Sequence, residues 1–186
     1  TTSIMMTLGC PFSCDFCSRP IFGNRYRRRN RDLVFDEIED IGHLGYDSLW
    51  IADDNFTLDF TYLEEFCRRI TGRKMEWSCL SRVTGIDEDI ARLMKESGCR
   101  RVHLGLETGN QDTLQLMKKQ ASLEEGQNAV HLFHKAGIEV AAFFIVGYPG
   151  ETVSSIEDTF RYALELPLDY ISFNVPFPLP GSQLFE

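Results

Sequence analysis

No stretch of the chain approaches the ~18 consecutive apolar residues of a bilayer span, and the expectation from its first residues is that it carries no signal peptide. Basic residues are in the minority. Nineteen Lys and Arg face 28 Asp and Glu, for a net charge of −9, which argues against a nucleic-acid-binding domain, whose footprint is basic. Copied sequence motifs are also missing, so the chain is not an array of sequence repeats. With 186 residues it can bury a good core and is expected to form one domain, residues 1–186. It opens on Thr1-Thr2-Ser3 rather than Met and stops just after a strand-like run, the expectation being a piece of a longer protein.

Six cysteines are present, but their distribution does not suit three disulfides. Cys10, Cys14 and Cys17 crowd into eight residues, whereas Cys67, Cys79 and Cys99 are dispersed. Cys67 lies on the apolar face of a helical pattern and Cys79 inside a strand pattern, as small buried hydrophobes do. Clustered thiols in an acidic chain without an export signal fit a reducing cytoplasm. The one local excess of positive charge is Arg25-Tyr-Arg-Arg-Arg-Asn-Arg31. It reads either as a solvated loop paired with Asp32, Asp36 and Glu37 or as an anion-binding strip.

Strand patterns fall at Ser3–Leu8, Ser48–Ala52, Glu76–Leu80, Arg101–Leu106, Val140–Val146 and Tyr170–Val175. Helical periodicity lies between them. The first helix begins near Asp32, with Ile38, Ile41 and Leu44 as its inner face. Later ones bury Leu63, Phe66, Cys67 and Ile70; then Ile90, Leu93 and Met94; then Ala129, Leu132, Phe133 and Ala136. A short helix is expected near 110–117. Ser122-x-x-Glu125 and Ser154-x-x-Glu157 read as capping boxes, the last helix turning Ile156, Phe160, Ala163 and Leu164 inward. Gly45, Gly72, Gly98 and Gly137 each follow a helix and precede a strand, where a left-handed C′ residue ends the helix.

Strands alternating with amphipathic helices make an α/β chain with a parallel sheet. Six units, the last without its helix, are too few for a closed eight-stranded barrel but suit an open, partial (β/α)6 TIM-type barrel with right-handed crossovers. Ligands of such sheets sit at the carboxyl ends of the strands. The long connection from Gly9 to Asn30 leaves from such an end, and a βα connection of that length is unusual unless functional.

That connection carries Cys10-Pro-Phe-Ser-Cys14-Asp-Phe-Cys17, spaced C-x3-C-x2-C. Thiolates are soft donors for iron–sulfur clusters or zinc. Zinc needs a fourth Cys or His, and the next one, His43, lies 26 residues on inside a helical pattern. The spacing, with an aromatic before the third Cys, resembles the radical S-adenosylmethionine (SAM) superfamily, and the succession of strand ends is similar to members joined to a cobalamin-binding domain.

The resemblance implies that Cys10, Cys14 and Cys17 hold a [4Fe-4S] cluster with one iron open, and that Phe16 is the aromatic beside it. Ala52-Asp53-Asp54-Asn55-Phe56 stands where many members carry a glycine–glycine–glutamate motif for the SAM amino group. Asp53 or Asp54 can accept from that ammonium or can simply make the turn into the next helix. Arg82, ending the third strand, can pair with the SAM carboxylate or substrate, or can be a surface arginine. Glu107, followed by Thr108 and Gly109, can bind the amino group or ribose; a carboxylate after an apolar strand is costly to bury without a partner. Gly147 and Gly150 match the segment beside the adenine, where glycine lets backbone approach closely. Asn174 is placed to touch ribose or adenine.

The resemblance further implies reductive cleavage of SAM to methionine and a 5′-deoxyadenosyl radical, with the cofactor supplying the chemistry and no catalytic side chain required. The substrate, a small molecule or peptide, stays open. The outcome can be cobalamin-dependent methylation, with cobalamin held by a domain outside this chain. Alternatives are methylthio transfer to tRNA or protein, and a non-catalytic iron–sulfur protein. An electron donor such as flavodoxin or ferredoxin is implied, and no membrane.

Overall fold

The computed structural model describes residues 1–18 and 25–186. Six parallel strands form one sheet in the order β1 (Thr2–Ile4), β4 (Ser48–Ile51), β5 (Glu76–Ser81), β6 (Cys99–Glu107), β7 (Glu139–Ile145) and β8 (Tyr170–Asn174). The order follows the chain, so every crossover moves the sheet one strand further, and it curls into an open, partial barrel. The crossovers are α1 (Arg31–His43), α2 (Phe60–Ile70), α3 (Glu88–Glu96), α5 (Leu123–Lys135) and α6 (Val153–Glu165); the short α4 (Gln111–Leu116) precedes α5. The glycines at 45, 72, 98 and 137 take φ between 77° and 97° directly after the helix caps, as their spacing predicts.

Alternation along each strand separates two faces. On the helix side, Leu49, Ile51, Trp77, Cys79, Val102, Leu104, Val140, Ala142 and Phe144 are buried against the helices. Trp77 is fully enclosed, with Phe56 and Phe66 edge-on at centroid distances of 5.7 and 5.3 Å. Its indole N–H donates to Ser97 O at 3.1 Å, so its polar atom is also satisfied. Cys67, Cys79 and Cys99 lie in this core, and burial pushes the Cys67 thiol up to about 12. They are structural thiols. The other face looks into the barrel, where Trp50 meets His103 edge-on at 4.9 Å and His103 stacks on Phe143 at 5.9 Å.

The first strand is divided. Thr2–Ile4 pairs with β4, but Thr7–Leu8 (β2) leaves the sheet and pairs antiparallel with Arg27–Arg28 (β3). The cause lies at the end of β4. Asp53, fully buried, accepts from Met6 N–H at 2.7 Å and from the Thr7 hydroxyl at 2.6 Å, so a carboxylate replaces the ladder where the chain turns away. β3 sits inside what reads from sequence as one loop from Gly9 to Asn30; residues 19–24 of that loop lie outside the described residues.

Two helix faces differ from the periodicity. Helix α1 buries Val34, Phe35 and Ile38, while Leu44, its C-cap, is exposed. Helix α6 starts before Ser154, in a capping box of Thr152 and Ser155, and its inner stripe is Ser155, Thr159, Tyr162 and Ala163. Phe160 and Leu164 are exposed at the edge where the sheet ends, Phe160 resting on Phe173 of β8 at a centroid distance of 4.7 Å. The arginine run is a solvated strip: Arg28 pairs with Asp59, Arg29 with Glu37 and Arg31 with Glu65, at 2.5 to 2.6 Å. Its carboxylates come mostly from α2 and the turn before it rather than from the following residues.

Candidate active site

A cavity of about 260 Å3 opens at the carboxyl ends of the strands, and its lining joins residues from several separate stretches of chain. The loop after β2 contributes Cys10, Phe12, Cys14, Phe16 and Cys17; the turn after β4 gives Asp54; the end of β5 gives Leu80 and Ser81, with Arg82 directly after it; β6 gives Gly105 and Glu107. Phe143 of β7 and Lys119, from the turn after α4, complete it.

The cysteine loop is fastened at its middle. Asp15 N–H donates to Met117 O and Asp15 O accepts from Leu184 N–H, each at 3.0 Å. The Asp15 carboxylate accepts from the Tyr148 hydroxyl at 2.8 Å and pairs with Lys118 at 3.2 Å. Burial, with the Asp15 charge added, holds the Tyr148 phenol well above its ordinary range, so the phenol is a permanent donor. Phe16 packs with Met117, Ile145, Tyr148 and Leu184, which draws the aromatic before Cys17 onto the barrel rim. Asp54 holds the start of the loop by accepting from Gly9 N–H at 2.9 Å.

Arg82 is buried, and its fork is divided among three neighbours. One terminal nitrogen donates to Cys14 Sγ at 3.4 Å; the other donates to the backbone carbonyls of Lys119 and Gln120. The guanidinium lies 3.8 Å over the Phe12 ring, and Arg82 Nε is buried without an acceptor among the described residues. This is not a surface arginine.

Glu107 is buried with φ +67°, at a register shift where β6 breaks step with β7. A non-glycine residue in the left-handed region is held there by its surroundings. The holder is Lys119, whose ammonium pairs with Glu107 Oε1 inside the cavity. Gly105 makes room for the pair, since a Cβ there would overlap Glu107 Oε1 and lie 2.7 Å from the Lys119 ammonium. Sequence reasoning misses Lys119, whose only signal is that a buried Glu107 needs a partner.

The remaining sequence candidates lie apart from this lining. Asp53 has both oxygens engaged by Met6 and Thr7 beneath the loop. Gly147 and Gly150 take φ of 81° and 91° in the turn after β7, and Gly150 borders a different cavity with Asn110 and Asp158. Asn174 is exposed at the end of β8, its amide reaching Ser172 Oγ at 3.3 Å.

An open parallel α/β barrel with three thiols and a buried ion pair lining one cavity at its strand ends defines the class of protein. The particular family follows from sequence comparison. The Radical SAM superfamily model matches residues 4–163, and the chain belongs to that superfamily. It is 33% identical over 187 residues to an uncharacterized methyltransferase of Pyrococcus horikoshii, covering 98% of this chain and 41% of the relative. It is 34% identical over 188 residues to the anaerobic magnesium-protoporphyrin IX monomethyl ester cyclase of Rubrivivax gelatinosus, covering 96% and 33%. The fold is that of the radical SAM methyltransferase TsrM from Kitasatospora setae, solved with cobalamin and a [4Fe-4S] cluster bound: TM-score 0.91 at 24% identity, over 98% of this chain and 35% of that one. This chain therefore spans well under half the length of these relatives.

The residues fit a thiolate-ligated cluster. The three thiols face one cavity, and its described lining holds no fourth Cys or His. Among the described residues no three or more His, Cys, Asp or Glu side chains are close enough together to hold a metal ion, so the thiols would have to draw in around a bound cluster. Burial pushes the Cys10 thiol up, against a backbone hydrogen bond from Phe12 and the charge of Arg82. The unpartnered Arg82 Nε is a buried donor awaiting an acceptor. Among the described residues, no helix is long and apolar enough to cross a membrane.

Proposed function

We propose that residues 1–186 are the catalytic core of a radical SAM enzyme, in which Cys10, Cys14 and Cys17 hold a [4Fe-4S] cluster. The observation that carries this is the convergence of all three thiols, Asp54, Arg82 and Glu107 on one cavity at the strand ends. When bound, the cluster supplies one electron for cleaving SAM to methionine and a 5′-deoxyadenosyl radical. The chain's own residues bind and orient. Asp54 and Glu107 offer carboxylates to the SAM ammonium, Lys119 yields Glu107 as that ammonium arrives, and Phe12, Phe16 and Phe143 keep water out. Gly147, Gly150 and Asn174, which lie outside the cavity lining, are assigned to adenine and ribose on the family resemblance alone. Asp53 serves the same site indirectly, by fixing the start of the loop.

The barrel face carrying Trp50, His103 and Phe143 is where a substrate would rest, since Phe143 lines both the thiol cavity and the neighbouring space around His103 and Tyr170. Methylation with a cobalamin held outside this chain is the favoured outcome, because methyltransferases stand among the relatives and fold neighbours. Methylthio transfer has the weaker support. A low-potential donor such as flavodoxin or ferredoxin and a reducing cytoplasm complete the reading.

Anaerobic reconstitution with iron, sulfide, SAM and dithionite is expected to yield 5′-deoxyadenosine and methionine. C14A is expected to lose that cleavage while keeping the wild-type circular dichroism spectrum. Unchanged turnover in C14A overturns the ligand assignment, and an assembled cluster that never consumes SAM overturns the enzyme.

A further inference from the structure

Resting on that reading, we infer that Arg82 is a positioning residue for the cluster itself, donating N–H···S to the Cys14 ligand and thereby setting the cluster's reduction potential. The sequence offers Arg82 a different role, pairing with a carboxylate of SAM or substrate. The geometry points elsewhere. Its contacts are a thiol sulfur, the Phe12 ring of the same loop and two backbone carbonyls, and its Nε is buried and unpartnered among the described residues. The two carbonyls and the ring lock the guanidinium plane, so the donors aimed at the loop cannot swing away. A buried cation held in this way needs a negative neighbour, and the group that would sit against Cys14 provides one.

Three thiolates around an oxidised [4Fe-4S] core leave one net negative charge. Uptake of one electron from an external low-potential donor, with no proton transferred, makes it two. A fixed guanidinium at hydrogen-bond distance from a ligand sulfur therefore stabilises the reduced form more than the oxidised one, through charge and through the N–H···S bond. The buried Lys119–Glu107 pair cancels internally, and of the other two charged side chains in the lining, Arg82 and Asp54, Arg82 is the one in hydrogen-bond contact with a ligand sulfur. An arginine is required because only a planar fork satisfies sulfur and carbonyls together.

The test is an EPR-monitored redox titration of the reconstituted full chain, without SAM, comparing wild type with R82Q and R82K. R82Q is expected to disfavour the reduced cluster by about tenfold, which is about 59 mV for one electron, and R82K to recover part of that shift. If R82Q fails to assemble a cluster, wild-type protein made with guanidino-15N arginine decides the matter. Its reduced cluster should show a 15N hyperfine coupling that R82K lacks. An unshifted potential, or no 15N coupling, overturns the inference while leaving cluster assembly and SAM cleavage standing. Weaker SAM binding in R82Q with an unshifted potential returns Arg82 to the carboxylate role.

Discussion

Replacing Asp53 by alanine removes the one group that accepts from both Met6 N–H and the Thr7 hydroxyl, in a place where none of the three residues is more than 2% exposed. Each orphaned donor costs about 1–3 kcal/mol. Against this stands relief from burying a carboxylate: burial, partly offset by these hydrogen bonds, raises the Asp53 pKa above its ordinary 3.8. The net loss is expected at about 2–4 kcal/mol, a large share of a typical 5–15 kcal/mol. Asparagine keeps an acceptor for Met6, and the Thr7 hydroxyl can rotate to accept from the new amide, so D53N should cost no more than about 1 kcal/mol. The pH dependence has a definite sign. Because the folded pKa is raised, the wild type holds its full contribution from this residue below the unfolded value and loses it as pH rises through the folded one. Wild type should therefore fall relative to D53N across the range just above pH 3.8. Urea unfolding of the reduced, metal-free chain at several pH values measures both effects. A D53A loss below about 1 kcal/mol, inside the range of an ordinary surface change, would refute the claim that this carboxylate holds the divided strand.

Two further outcomes follow from close contacts. G109A places a Cβ 2.5 Å from Tyr162 Cβ and 2.6 Å from Asp158 O, against backbone that cannot yield. It should cost about 1–3 kcal/mol or more, read as a lowered urea midpoint. Y148F deletes the hydroxyl bound to Asp15 between Cys14 and Cys17. It should cost only about 0.5–1.5 kcal/mol of stability yet speed loss of iron to a chelator severalfold, measured by absorbance; an unchanged rate removes Tyr148 from the support of the loop.

Much of the architecture is visible in the sequence because local rules and the global fold agree. Gly45, Gly72, Gly98 and Gly137 end their helices where the periodicity stops, and the alternation of β5 to β7 marks the face that meets the helices. Disagreement appears where a distant residue decides. Ser3–Leu8 reads as one strand, and only Asp53, some fifty positions on, shows why it divides. Helix α6 misleads because it lies at the sheet's edge, where small Ser155 and Thr159 pack inward and Phe160 and Leu164 are left outside. In the site, cysteine spacing names the thiols and strand ends name Asp54, Arg82 and Glu107. Lys119 and Tyr148 escape notice because their partners lie on other elements, and nothing local distinguishes them from surface residues.

The two-residue ribbon of β2 and β3 bears on metal affinity. It pins Leu8 against Arg27, with eighteen residues between them that include all three cysteines. Joining the ends of such a loop costs about 2.5 kcal/mol beyond a constant term, and here the protein's own hydrogen bonds and ion pairs meet that cost before any metal arrives. Under the proposed ligand assignment, iron would meet a loop whose ends are already joined. The less disorder a metal must remove, the more of its intrinsic bond strength appears as affinity, and a small clasp that closes two residues before Cys10 would contribute to how tightly a cluster is held.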